Sequence, residues 1–295
     1  MDAATRRQEA LAFVDARPQD IMKTLVLANQ KGGVGKTAVA TLLAHFLAQQ
    51  GRRVLAVDFD HQGNFSSVLQ RSGRPLVSEI SADRLMTEQV DVPAAPYVLV
   101  PSNRALLMLE RRPNQHTPFA RSFRAFLKSV DQQFDVCIVD TNPNPDIRLI
   151  SALASADHVL APIQLTMEAM EGIYGLLNHD RVGVRKIKAL LNPKLELIGL
   201  LPMMVEVTPF QRANLVEVVS RYMSLLIPLS EKLGDIASMP RRSAIAEAQA
   251  AGVVLWEMKK TAARDCWKDI ERTVHKLADV VSPGVPKGEL LTADA

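Results

Sequence analysis

Short runs of β-branched and leucine residues recur along the chain, each followed by a longer stretch whose apolar positions have helical spacing. Thr24 to Ala28, Val54 to Val57, Tyr97 to Val100, Val136 to Val139, His158 to Ile163, Leu195 to Leu201 and Leu225 to Leu229 are hydrophobic throughout rather than alternating. Strands buried on both faces of a parallel sheet look like this. Between them the pattern predicts helices near 37–50, 121–130, 146–155, 168–190, 210–223, 243–251 and 259–280, with Gly51 and Gly252 placed to stop two of them. Strand and helix alternate almost throughout, which predicts an α/β fold: a doubly wound, mostly parallel sheet flanked by helices, in a single domain.

Prolines modify that picture in two places. Pro75, Pro93, Pro96, Pro101, Pro113 and Pro118 break the segment from Arg71 to Pro118 into expected loops and short helices. Ser282-Pro-Gly-Val-Pro-Lys-Gly follows the last helix, so the expected organisation is an N-terminal arm over 1–22, the domain over 23–280 and a flexible tail over 281–295. Of 295 residues, 47% are hydrophobic and 23% charged, which excludes a disordered or collagen-like chain. The longest unbroken apolar stretch, Leu197 to Val205, is nine residues. A membrane span needs about 20. Asp2, Glu9 and Asp15 interrupt the first fifteen residues, so no secretory signal is expected and the expected location is the cytoplasm. Cys137 and Cys266 lack the spacing of a disulfide framework, a zinc site or an iron–sulfur site, and Cys137, inside Asp135-Val-Cys-Ile-Val, reads as core packing. The six histidines show no ligand spacing. Lys plus Arg exceed Asp plus Glu by 35 to 32, so only clustering of charge could point to nucleic acid.

The chemistry concentrates after the first strand, in Asn29-Gln30-Lys31-Gly32-Gly33-Val34-Gly35-Lys36-Thr37, followed by a helix carrying Leu42, Leu43, Phe46 and Leu47. Strand, glycine-rich loop and helix in that order form a phosphate-binding loop. Gly32, Gly33 and Gly35 let backbone N–H groups turn toward phosphate oxygens, the helix N-terminus adds its positive end, Lys36 meets the β/γ-phosphates, and Thr37 offers a hydroxyl to Mg²⁺. Val34 and Ala38 complete the expected nucleotide contacts. Gln30 stands where the strict pattern has its first glycine, and Lys31 adds a second lysine inside the loop.

With that loop, the chain resembles the ParA/MinD family of deviant Walker-A ATPases, P-loop NTPases whose loop reads x-K-G-G-x-G-K-[ST]. Further motifs agree in order. Asp58-Phe-Asp60-His-Gln62-Gly63-Asn64 looks like the family's D-x-D-x-Q-G-N element, with His61 where proline is usual. Phe134-Asp135-Val-Cys-Ile-Val-Asp140-Thr141-Asn142-Pro143 looks like the Walker B strand and its D-T-P-P switch, with Asn142 in place of the first proline. Ala161-Pro162-Ile-Gln164, Glu171-Gly172, Arg212-Ala-Asn214, Met239-Pro240-Arg241, Glu247-Ala248 and Gly252 match later landmarks, so the likeness covers roughly residues 23–280. It implies roles for the matching residues. Thr37 and Asp140 organise Mg²⁺ with Asp58 in support, Asp60 orients or activates the attacking water, and Lys31 reaches across a two-fold interface to the partner's ATP. Met204 and Pro240 fall where adenine contacts are expected, although a Met in a core strand and a Pro in a turn are ordinary.

Within the family, electron transfer fails for want of cluster cysteines, and membrane positioning fails for want of a basic amphipathic end. DNA segregation remains, as in the short, Soj-like ParA proteins. The implied activity is weak, Mg²⁺-dependent ATP hydrolysis, with an ATP-bound homodimer on nonspecific DNA released when a ParB-type centromere-binding protein stimulates hydrolysis. The implied location is nucleoid-associated. Arg181, Arg185 and Lys188 fall at i, i+4 and i+7 and would share one face of the helix predicted over 168–190, with Arg212, Arg241 and Arg242 as further positive points. No base-reading motif accompanies them, so sequence-independent phosphate contact is expected. Two alternatives stay open: a ParA-like ATPase positioning a protein cargo, and a P-loop enzyme acting on a metabolite.

Overall fold

A computed structural model describes residues 22–283, so the expected arm before residue 22 and the tail after residue 283 lie outside the described residues. Among the described residues eight strands form one sheet: β1 (Lys23–Leu27), β2 (Val54–Asp58), β3 (Leu76–Val77), β4 (Tyr97–Val100), β5 (Val136–Asp140), β6 (His158–Gln164), β7 (Glu196–Val205) and β8 (Met239–Pro240). Their order is β3-β4-β2-β5-β1-β6-β7-β8, and every pairing is parallel. The helices are α1 (Lys36–Gln49), α2 (Asn64–Ser72), α3 (Arg84–Thr87), α4 (Leu106–Leu109), α5 (His116–Ser129), α6 (Ile147–Ser155), α7 (Ala169–Asn178), α8 (Val184–Leu190), α9 (Pro209–Tyr222), α10 (Ser243–Ala251) and α11 (Thr261–Val281). The doubly wound α/β class expected from the pattern is what the chain adopts.

Because successive strand residues point to opposite faces, the central strands feed two cores. Val26, Leu55, Val57, Cys137 and Val139 join one core with α5 to α9, and Leu25, Leu27, Val54, Ala56 and Ile138 join the other with α1, α2, α10 and α11. Cys137 is fully buried, as read from its apolar run. In α11, Ala263, Cys266, Trp267, Ile270, Val274, Leu277, Ala278 and Val281 are buried at helical spacing, each large side chain contributing about 1.5–3 kcal/mol of transfer free energy.

Two expected elements are corrected. The strand expected over 225–229 does not join the sheet as a strand; Leu226 makes one isolated bridge to Leu200, and Pro228, which has no N–H to give a ladder, makes another to Ile236. The edge position beside β7 goes instead to β8. The single helix expected over 168–190 is two, α7 and α8. His179 leaves the helical region (φ −54°, ψ 137°), and its Nδ1 accepts the Arg181 amide that a continuing helix would pair internally. Gly183 closes the turn, since a Cβ there would lie 2.6 Å from the His179 nitrogen.

The switch in winding direction sets the site. The chain passes from β1 out to β2 and β4, returns as β5 between β1 and β2, and continues on the far side of β1 as β6. A crevice opens at the carboxyl ends of strands where winding reverses. Leu27, Asp58 and Asp140 stand level there, with Leu27 and Asp58 each in register with Asp140.

Candidate functional site

The loop between β1 and α1 is held open by its own backbone. Gly33 (φ 73°) and Gly35 (φ 93°) occupy the left-handed region that favours glycine, and a Cβ on Gly35 would meet Met203 Cε at 2.7 Å. Asn29 Nδ2 donates to Pro162 O at 2.7 Å and Gln164 Nε2 donates to Gly33 O at 2.9 Å, fastening both limbs of the loop to β6. These anchors are what the Ala161-Pro162-Ile-Gln164 landmark supplies. Lys36 is buried beneath the loop, its Nζ donating to Asn29 O at 3.1 Å and Lys31 O at 3.3 Å. Burial holds its pKa below the usual lysine value, with the charges of Asp140 and Asp60 opposing. Lys31 turns the other way, donating from Nζ to Thr166 Oγ1 at 3.2 Å and Glu168 Oε2 at 3.3 Å on the surface.

Three carboxylates face the loop from neighbouring strand ends, and each has a different environment. Asp140 is buried, accepts the Thr37 hydroxyl at 2.6 Å on Oδ2, and has no partner for Oδ1 among the described residues. Burial pushes its pKa up to about 8, the Asp58 charge adding to the effect while Thr37 and Lys36 oppose it. Asp58 is also buried, at about 6, yet fully engaged: Oδ2 takes the Ser66 amide and hydroxyl at 2.8 and 2.7 Å, and Oδ1 takes the Asp60 amide at 3.0 Å. Asp58 therefore braces the turn that carries Asp60. Asp60 Oδ1 accepts the Gln62 amide at 3.0 Å and lies 3.4 Å from His61 Nδ1.

An orphaned, buried carboxylate oxygen beside a threonine hydroxyl is the donor chemistry that suits Mg²⁺, a hard cation that takes one or two protein oxygens and completes its shell with water and phosphate. Thr37 and Asp140 fit that role. Among the described residues no group of three or more His, Cys, Asp or Glu side chains is arranged as a self-sufficient metal cage.

Above Asp58 and Asp140 lies a cleft of about 650 Å³ whose lining includes Gly32 to Ala38, Asp60, His61, Thr141 and Met204. Its volume is that of a nucleotide-sized ligand site. Met204 sits at φ 53°, a left-handed conformation that costs a non-glycine residue about 1–2 kcal/mol, and its sulfur accepts from Gln164 Nε2 at 3.1 Å. Pro240 pairs with Val205 in the β8 edge and is not among the cleft-lining residues. The sequence reading missed the far wall, where Ser67, Val68 and Arg71 of α2 face Gln249 and Ala250 of α10. Arg71 Nη1 donates to Gln249 O at 3.0 Å and Ala250 O at 3.1 Å, tying the two helices together. Gly63 and Gly73, both left-handed at the ends of α2, were the available signal.

The family model AAA_31, an AAA domain, matches residues 22–197. Protein IncC of Escherichia coli is 36% identical over 274 residues, covering 88% of this chain and 69% of the relative. The chromosome partitioning protein ParA of Caulobacter vibrioides is 31% identical over 249 residues, covering 81% of this chain and 88% of the relative. The chain belongs to the ParA/MinD family. A McdA–ATP complex from Cyanothece has a similar fold, with TM-score 0.71 at 19% identity, covering 92% of this chain and 99% of that one.

The cationic residues singled out for DNA do not all share a helix face, and several of them have partners. Arg181 lies in the turn before α8 and pairs with Glu110 at 2.9 Å, so it shares no helix face with Arg185 and Lys188. Arg185 Nη1 donates to Asn178 Oδ1 at 3.0 Å, Arg241 pairs with Glu206 at 3.6 Å, and Arg242 pairs with Asp269. Lys188 and Arg212 are exposed. No described helix is long and apolar enough to cross a membrane.

Proposed function

We propose that this chain is a ParA-type partitioning ATPase. ATP closes it into a sandwich dimer that binds DNA without regard to sequence, and partner-stimulated hydrolysis releases it. The observation that carries the reading is two lysines in one loop, Lys36 buried under it and within the field of Asp140 and Asp60, and Lys31 turned away to the surface.

Each group then has a part in phosphoryl transfer, where positioning and charge neutralisation do most of the work. The amides of Gly32 to Ala38 surround the phosphates, and Lys36 exchanges Asn29 O and Lys31 O for β/γ-phosphate oxygens. Thr37 and Asp140 hold Mg²⁺, which when bound neutralises charge on the phosphates; Asp58 steadies the adjoining turn. Asp60 accepts a hydrogen bond from the attacking water. Lys31 leaves Glu168 and reaches the partner's nucleotide, and Met204 flanks the base. Arg185, Lys188 and Arg212 meet DNA phosphates, joined by Arg181, Arg241 and Arg242 once their carboxylate partners are displaced. A ParB-type protein is the expected stimulating partner. The work is done on the nucleoid.

A salt titration of DNA binding by fluorescence anisotropy tests this, with ATP or ADP, alongside light scattering for the dimer. Wild type should dimerise and bind with ATP only, on scrambled DNA as well as any other. Lys36→Ala and Lys31→Ala should do neither. Each lost phosphate contact flattens the log–log salt slope by about 0.9, so Arg212→Ala should lower it by up to about two units per dimer. Equal binding with ATP and ADP would refute the switch.

A further inference from the structure

Arg148 has the largest side chain among those that are fully buried, and nothing in the nucleotide-binding residues explains it. A buried guanidinium is costly unless its charge is matched. Asp146, which also caps α6 by accepting the Arg148 amide at 3.0 Å, supplies the match: Arg148 Nε donates to its two carboxylate oxygens at 3.2 and 3.1 Å, and Nη2 donates to Oδ2. The same carboxylate takes Asn142 Nδ2 at 3.0 Å. One arm of the fork is left over, and Nη1 reaches across 87 positions of sequence to His61 Nδ1 at 3.2 Å.

That last contact fixes more than a distance. A guanidinium can only donate, so His61 Nδ1 must accept, which places the ring proton on Nε2; Nε2, 2.9 Å from the Gln62 side-chain amide, then donates to that amide's oxygen with the amide turned to present it. Nδ1 also lies 3.4 Å from Asp60 Oδ1. A ring whose Nδ1 is already accepting from Arg148 cannot donate to Asp60, so the Asp60 carboxylate keeps its accepting capacity for other donors. The chain of contacts runs Asn142, Asp146, Arg148, His61, and joins the turn after β2 to the turn after β5. His61 and Asn142 are the two positions at which this sequence departs from the prolines usual in the motifs it resembles.

We propose that Arg148 is a positioning residue for hydrolysis: through His61 it holds the turn bearing Asp60 with that carboxylate free to accept from the attacking water, and through Asp146 it makes that geometry depend on the Asn142 segment. The inference rests on the proposed role of Asp60.

Single-turnover and steady-state phosphate release, fluorescent-ATP affinity and thermal melts would be measured on His61→Ala, His61→Asn, Arg148→Lys and the double variant His61→Ala with Arg148→Lys. His61→Ala should lower kcat about tenfold with ATP affinity within about twofold, because a small misplacement costs rate more than binding. Arg148→Lys, which keeps the charge against Asp146 but lacks the second arm, should do the same, and the double variant should be no slower than either single. His61→Asn, whose Oδ1 can accept where Nδ1 did, should recover most of the rate. The proposal is overturned by wild-type kcat in His61→Ala, by no recovery in His61→Asn, or by losses that multiply in the double variant. Should Arg148→Lys fail to fold, the His61 pair still decides. Asp60→Ala run in parallel separates the two readings: normal turnover there refutes the water-orienting role itself, whereas slow turnover there with normal His61→Ala refutes only the positioning by Arg148.

Discussion

Replacing Asp140 with Asn should stabilise the nucleotide-free protein at neutral pH while abolishing its nucleotide-dependent behaviour. The Asp140 carboxyl is about 1% exposed and its pKa is pushed up to about 8, against 3.8 for the free side chain. Between those values the folded chain holds a proton that the unfolded chain has released, so stability falls as pH rises through that window. At pH 7, about three pH units above the unfolded value, roughly 1.4 kcal/mol per unit sets a ceiling near 4 kcal/mol. The protonated carboxyl carries no charge for Lys36 to lose, and relaxation and water at the cleft reduce the ceiling to a net gain on the order of 2 kcal/mol, or about 5 °C in Tm for a chain of this size. Asp58, raised to about 6, has the same sign at lower pH, and the neutral buried His45 the opposite sign below 6.5, so the clean window is pH 6.5 to 8. The assay is a thermal melt in EDTA across that window. Wild type should lose Tm with rising pH more steeply than Asp140→Asn, and Mg²⁺ with ATP should raise the wild-type Tm alone. A variant that melts below wild type at pH 8, or that shows the same slope, refutes the argument that the empty cleft must take up a proton on Asp140 to stay folded.

Gly35→Ala should lose ATP binding in a fluorescent-nucleotide titration and lower stability by about 1–3 kcal/mol, because residue 35 combines φ 93° with a Cβ position 2.7 Å from Met203 Cε. His45 is buried beside the Tyr97 hydroxyl with its pKa depressed to about 4 by desolvation, so its folded state stays neutral where the unfolded chain is protonated. Its contribution is lost as pH falls from 6.5 toward 4, by up to about 3 kcal/mol. Urea midpoints at pH 4.5 and 6.5 should show that acid-side loss in wild type and its absence in His45→Asn.

What the sequence made legible follows the physics of each element. β1, β2, β5 and β6 were readable because a parallel strand buried on both faces has no polar positions to confuse the pattern. Leu76–Val77 and Met239–Pro240 are two-residue edges with no such run, and 225–229 has the run but carries Pro228. The break between α7 and α8 was written as Gly183, but the apolar periodicity continues through it, and the His179 side chain capturing the Arg181 amide joins Gly183 in ending the helix. The phosphate loop was legible because its requirements are local: consecutive glycines with positive φ, one lysine, one hydroxyl. The cationic surface was not, because the pairing of Arg181 with Glu110 and of Arg242 with Asp269 joins residues 71 and 27 positions apart.

The same distinction separates the parts of the site that any member of the fold must share from those particular to this chain. Lys36, Thr37 and Asp140 meet because β1 and β5 are neighbours in register, so their geometry follows from topology alone. The link from Asn142 through Asp146 and Arg148 to His61 does not; it requires four specific side chains on two turns, with a buried charge that has value only when all its donors are matched. Removing one member leaves its direct neighbour in the chain with an unmatched group, so the four are coupled pair by pair. A chain with prolines at positions 61 and 142 has no use for the long arm of residue 148, and rigid backbone there would do by restriction of φ what this protein does by hydrogen bonds. Joint replacement of the network, His61→Pro and Asn142→Pro with Arg148→Leu and Asp146→Ser, should therefore be tolerated better in a thermal melt than Arg148→Leu alone, which strands Asp146 as an uncompensated buried carboxylate. Equal loss in the two would show that the four residues pack independently and are not coupled.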